Sequence, residues 1–115
     1  MQKFKIRNLD LEDFSLRLGN NTKILNKMLR MFYNDFYPSN QIFTIEMIDQ
    51  DFTLFQEKIH GLKGVSGNIS LTNIFNLCKQ INKSDDTEAI KDIAIELLKE
   101  LELTLSEVAE VLEIE

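Results

Sequence analysis

Apolar residues recur at steps of three and four along most of this chain. Because such steps return to the same face of an α-helix, each run predicts an amphipathic helix with one side in a core. Five runs follow one another. They comprise Leu11, Phe14 and Leu18; Leu25, Met28, Leu29, Phe32 and Phe36; Phe52, Phe55, Ile59, Leu62, Ser66 and Ile69; Leu71, Ile74, Leu77, Cys78 and Ile81; and Ile90, Ala94, Leu97, Leu98, Leu101, Leu105, Val108 and Leu112.

Short polar segments separate these predicted helices. Asp10 is placed to cap the first helix and Gly19 to end it, while Pro38 prevents the second from continuing unchanged. Thr87 is placed to cap the last helix. Residues 39–50 favour only a helical turn or two, since Ile and Thr are indifferent helix formers. The expected fold is all-α: an up-down four-helix bundle with short additional N-terminal helices.

Length, composition and charge narrow the class of protein. A chain of 115 residues with 43% hydrophobic and 28% charged side chains fits one globular domain spanning residues 1–115. The single cysteine, Cys78, excludes an internal disulfide and a Cys-based zinc site. No apolar window approaches the roughly 18 residues that span a bilayer. Because the net charge is −6, nucleic-acid binding is not expected either. We expect a cytoplasmic protein without direct membrane contact.

The third predicted helix has an unusual polar face around His60. Three glycines, Gly61, Gly64 and Gly67, lie on or beside it. Each costs about 0.5 to 1 kcal/mol relative to alanine in a helix interior. Gly64 and Gly67 follow His60 by four and seven positions, so their missing side chains leave space beside the imidazole. Lys63, three positions after His60, places an ammonium on the same face. These features favour a site where a partner approaches closely.

The same residues also have ordinary explanations. A lone histidine on a helix is usually solvated, and glycines can reflect close helix packing. Lys63 alone could be a common exposed lysine. Cys78 is better interpreted as a small buried hydrophobe than as a nucleophile.

Residues 60–69 read His-Gly-Leu-Lys-Gly-Val-Ser-Gly-Asn-Ile. This string closely resembles the signature of histidine phosphotransfer (HPt) domains, His-x-Leu-Lys-Gly followed by small residues and a pair such as Asn-Ile. Residues 16–32 are similar to the opening helices of that family, and residues 77–81 to the helix after the signature. The resemblance covers nearly the whole chain and is weakest at residues 37–50.

The resemblance implies a role for each signature residue. His60 would be the phosphorylated residue and Lys63 the neighbour that compensates the phosphoryl charge. Gly64 and Gly67 would give clearance for a response-regulator receiver domain, and Asn68 would border that docking site and help to end the helix. Many family members place an amide on the next helix to orient the imidazole. The matching position here is Asn82, with a shorter side chain than the more familiar glutamine, and Gln80 is the alternative.

Other positions depart from the family pattern without removing its chemistry. Gly61 replaces a small polar residue, Ile59 is bulkier than the frequent alanine, and Ser70 stands where glycine is common. For docking we expect an apolar patch that includes Ile69 and Leu71, with Lys63, Lys79 and Lys83 aiding the encounter with an acidic receiver.

The expected function is that of a phosphoryl carrier rather than an enzyme, without cofactor or metal. Its partners would be receiver domains and a hybrid sensor histidine kinase, of which this chain is either a free-standing partner or the C-terminal piece. We expect a monomer. Imidazole is substantially neutral near pH 7, so a nitrogen nucleophile is available without strong activation.

Three other classes of protein share some of these features. A kinase dimerisation domain also carries a helical histidine, but the acidic residue and the Thr-Pro that usually follow it are absent. A di-metal bundle needs repeated Glu-x-x-His motifs, and this chain has one histidine. The alternative that stays open is a non-catalytic helical adaptor, in which His60 is incidental.

Overall fold

The computed structural model describes residues 6–114, and within them it contains six α-helices and one short 3-10 turn. The prediction of an all-α fold is confirmed. The helices are α1 (Leu11–Leu18), α2 (Thr22–Phe36), α3 (Met47–Gln50), α4 (Phe52–Asn68), α5 (Thr72–Lys83) and α6 (Thr87–Val111), and the 3-10 turn is Ser39–Gln41.

Side-chain caps explain where most helices begin. The Asp10 carboxylate accepts a hydrogen bond from the Asp13 backbone N–H at 3.0 Å, as predicted for α1. Asp51 accepts from the Leu54 N–H in the same way at the start of α4. At α6 the prediction of a Thr87 cap is wrong. Thr87 is the first helical residue, and the preceding Asp86 accepts from the Glu88 N–H, which agrees with the stronger N-cap preference of aspartate.

Long helices that follow one another in the sequence pack against each other, and α2 also packs against a helix distant in the sequence. α4 and α5 form a helical hairpin through residues 69–71, α6 packs along α5, and α2 packs against α6. These contacts are compatible with the up-down four-helix bundle predicted from the sequence. The predicted stripes supply most of the core. Its fully buried large side chains include Phe14, Phe32, Leu25, Leu29, Phe55, Ile59, Leu62, Ile74 and Leu97.

Burial differs from the prediction at the less regular segments. Leu11 and Leu18 remain 44% and 41% exposed, because α1 is short and buries only Phe14. Phe43, outside every stripe, is fully buried and meets Phe55 edge to face with ring centroids 5.6 Å apart. An aromatic side chain from an irregular segment therefore completes the core above α4.

The segment before α1 is fastened to α5 and α6 by Asn8. No side chain next to α5 caps its N-terminus. Instead the buried Asn8 carboxamide oxygen accepts from the Asn73 N–H at 3.2 Å and from the Ile74 N–H at 3.5 Å. The Asn8 amide nitrogen donates to the hydroxyl of Thr104, which is also buried. Asn8 thus acts as an N-cap for a helix that begins 64 positions later in the chain.

Candidate functional site

His60 lies in the middle of α4 with an exposed side chain, while its neighbours Ile59 and Leu62 are buried in the core. The helical period causes this division, since adjacent residues on a helix point to different faces. Beside His60 runs a groove of about 680 Å³ between α4, α5 and α1. We call it the His60 groove. The α4 residues that line it include His60, Lys63, Gly64, Gly67 and Asn68.

Lys63 is half-buried rather than fully solvated. Its Nζ lies 6.0 Å from the centroid of the Phe75 ring on α5, at the outer limit of a cation–π contact. Lys63 lines the His60 groove together with Phe75. Lys63 can contribute positive charge one helical turn from His60.

Cys78 lies below this region and is fully buried, as predicted for a small hydrophobe. Burial raises the pKa of its thiol to about 12, and the nearby Lys63 charge opposes that rise only in part. The thiol is therefore protonated at neutral pH and does not act as a nucleophile.

The glycines of α4 differ in what surrounds them. A Cβ built on Gly61 or Gly64 meets nothing within 4 Å, so both positions are open to solvent. A Cβ on Gly67 would lie 3.0 Å from Cδ1 and 3.1 Å from Cε1 of Phe75. Gly64 fits the predicted clearance beside His60. Gly67 also lines the His60 groove, and the nearby Phe75 of α5 gives a second reason for a small residue at that position.

This difference predicts that two matched glycine-to-alanine substitutions change the stability of the fold by different amounts. Gly64→Ala should stabilise the fold by about 0.5 to 1 kcal/mol, because alanine is the better helix former and the site is open. Gly67→Ala should lose that gain, since the Phe75 ring must move by a few tenths of an ångström. Urea unfolding of both variants measures the difference. Equal stabilisation would mean that Phe75 does not restrict position 67.

A polar cluster of Asp13, Arg17 and Ser70 forms another wall of the His60 groove. Arg17 Nη2 donates to the Ser70 hydroxyl at 2.6 Å, and that hydroxyl donates to Asp13 Oδ2 at 2.6 Å. Arg17 Nε also pairs with Asp13 Oδ2 at 3.2 Å. The hydrogen bond from Ser70, assisted by Arg17, lowers the pKa of Asp13 below its usual range. Sequence reasoning missed this cluster, although Ser70 in place of a common glycine was a signal.

Of the remaining predicted site residues, Asn68 borders the His60 groove and Asn82 does not. Asn68 is exposed at the last position of α4 and borders the His60 groove. Asn82 lines a separate groove with Gln56, and no hydrogen bond joins its amide to His60 within residues 6–114. The amide that shares the His60 groove belongs to Asn76 on α5. The geometry therefore gives no support to Asn82 as the group that orients the imidazole.

The expected apolar docking patch at Ile69 and Leu71 is wrong. Ile69 is 1% exposed and Leu71 is 0% exposed, because the turn between α4 and α5 folds both side chains into the core. Neither can meet a partner surface.

The site offers an exposed imidazole, a neighbouring ammonium and open space. Across residues 6–114, no group of three or more His, Cys, Asp or Glu side chains is arranged to hold a metal ion. In the same part of the chain, none of the helices combines the length and apolar character needed to cross a membrane. Neither a protein-family model, nor a curated protein, nor a solved structure matches this chain.

Proposed function

We propose that this protein is a phosphoryl carrier of the HPt type, which accepts a phosphoryl group from a receiver aspartate on His60 and passes it to another receiver. The observation that supports the proposal most is the arrangement of three residues in the His60 groove. His60 is exposed, Gly64 is open one turn away, and Lys63 lines the same groove one turn from His60. In this role the protein is a cytoplasmic phosphoprotein that works with a hybrid sensor histidine kinase.

The proposed transfer is reversible and needs little catalytic apparatus on this chain. A neutral imidazole nitrogen of His60 attacks the phosphorus of an aspartyl phosphate, and an N–P bond forms as the P–O bond to the carboxylate breaks. The aspartate leaves as a free carboxylate, and the reverse steps release the phosphoryl group to the next receiver. Such transfers depend mainly on positioning and charge stabilisation. The receiver would supply the metal ion, and Lys63 would offset part of the phosphoryl charge.

Incubation with a panel of phosphorylated receiver domains tests the proposal. We expect transfer of label to this chain from at least one receiver. The label should be lost in acid, retained in alkali and located on His60 by peptide mapping. An absence of transfer from every receiver, with folding verified by circular dichroism, would contradict the proposed function.

Lys63→Ala should slow transfer by about tenfold without abolishing it, which corresponds to about 1.4 kcal/mol of lost stabilisation. Lys63→Glu should slow it further, because repulsion of the phosphoryl group is added to the loss of attraction. Docking excludes water, so the charge acts more strongly during transfer than in the free protein.

Single-turnover transfer rates at low and high salt measure both effects. Lys27→Ala is the matched control, because Lys27 is an exposed lysine on α2 outside the His60 groove. Equal rates for the Lys63 and Lys27 variants would show that Lys63 is an ordinary surface residue.

A further inference from the structure

Helix α1 is attached to the rest of the molecule largely through polar contacts. Only Phe14 of its eight residues is buried. Arg17, in its last turn, donates from Nη2 to the backbone carbonyl oxygens of Gly67 and Asn68 at 3.1 Å each. These are the last two residues of α4, where carbonyl groups have no partner one turn further along the helix, and the Gly67 oxygen also accepts from the Ser70 N–H at 3.2 Å. Arg17 therefore joins α1 to the end of the helix that carries His60.

Ser70 is at the centre of these contacts. It is 3% exposed and has a φ of 61°, a left-handed conformation that disfavours any residue with a Cβ. Glycine would adopt this conformation more easily, but it has no hydroxyl. The Ser70 hydroxyl is used to bind Asp13 and Arg17, and the Ser70 carbonyl oxygen accepts from the Asp10 N–H at 2.8 Å. Ser70, in the turn after α4, is thus hydrogen-bonded to Asp13 and Arg17 of α1 and to its N-cap residue Asp10.

We infer that Asp13, Arg17 and Ser70 are positioning residues that hold α1 as a wall of the docking groove for a receiver domain. The inference rests on the proposed function. Its physical basis is the size of a protein interface. Each partner contributes about 800 Å², which is a disc of about 16 Å radius. Gly67 follows His60 by seven residues, or about 10.5 Å along α4. Because Arg17 of α1 binds the Gly67 carbonyl oxygen, a receiver centred on His60 extends over α1. A small phosphodonor does not.

Arg17→Ala separates the two kinds of donor. The receiver concentration that gives half-maximal transfer should rise about five- to tenfold, because α1 is no longer held in place for docking. The rate at saturating receiver should stay within about twofold of wild type. Direct labelling of His60 by phosphoramidate, a small donor that needs no docking surface, should be unchanged. Amide hydrogen exchange should become faster in α1 but not in α5 or α6.

Two further variants complete the design. Ser70→Gly removes the hydroxyl and relieves the left-handed strain, so the protein should stay folded while receiver docking weakens in the same direction. Arg30→Ala, an exposed arginine on α2 outside the groove, should match wild type in every measurement.

The inference is overturned if the receiver titrations of Arg17→Ala and wild type superimpose. It is also overturned if phosphoramidate labelling falls by the same factor as receiver transfer, since Arg17 would then act on His60 or on folding in general. If wild type is labelled by phosphoramidate but by no receiver, the proposed function fails and this inference fails with it.

Discussion

His60→Gln is expected to reduce transfer from a phosphorylated receiver to background. Glutamine keeps a polar side chain of similar reach and is a good helix former, but its amide nitrogen is not a nucleophile. His60 is the single histidine of the chain, so no second imidazole can replace it. The measurement is the acid-labile label on this chain after incubation with a labelled receiver.

Folding provides the control for this variant. Because the His60 side chain is exposed, the change should alter the free energy of unfolding by less than about 0.5 kcal/mol. Receiver binding, measured separately, should be retained. Transfer that survives in His60→Gln would exclude His60 as the residue that carries the phosphoryl group. A cellular output that survives intact would instead favour the adaptor, in which His60 is incidental.

Asn8→Ala should destabilise the fold by about 2 to 4 kcal/mol. The change removes the acceptor of the Asn73 and Ile74 N–H groups and the partner of the Thr104 hydroxyl, and both Ile74 and Thr104 are buried. Each buried polar group left without a partner costs about 1 to 3 kcal/mol, and loss of the cap alone costs about 1 kcal/mol. Urea or thermal unfolding measures the effect.

A graded series separates capping from simple loss of volume. Asn8→Asp keeps an oxygen for the α5 N–H groups and another for the Thr104 hydroxyl, so it should retain more stability than Asn8→Ala. Asn34→Ala, at an exposed position of α2, should change stability by less than about 0.5 kcal/mol. If Asn8→Ala is as stable as Asn34→Ala, the long-range cap contributes nothing.

The helices and most of the core could be predicted because both follow from local periodicity. The stripe that begins at Phe52 corresponds to α4, although Phe52 itself is 39% exposed. The stripe from Ile90 lies mainly on α6, and its predicted core residues are buried except Leu98 and Leu112, which are partly buried. Phe43 could not be found in this way, since it belongs to an irregular segment. Asn8 and Thr104 lie 96 positions apart, and no local pattern indicates that their side chains meet.

The candidate site also has a part that local periodicity predicts and a part that it does not. His60, Lys63 and Gly64 could be placed together because residues three and four positions apart share one face of a helix. Arg17 and Ser70 come from different segments, and only the turn between α4 and α5 brings them into contact. The contact of Gly67 with Phe75 could not be predicted for a similar reason, since Phe75 is on another helix.

Gly61 and Gly64 also affect when α4 becomes a stable helix during synthesis of the chain. Gly61 and Gly64 lower the intrinsic helicity of α4, so its helical state depends on burying Phe55, Ile59 and Leu62 against neighbouring helices. The helix that packs most extensively with it, α5, is itself covered by α6. A ribosome releases α4 before either of them. The contacts that stabilise the helix carrying His60 are therefore complete only after α6 has left the exit tunnel.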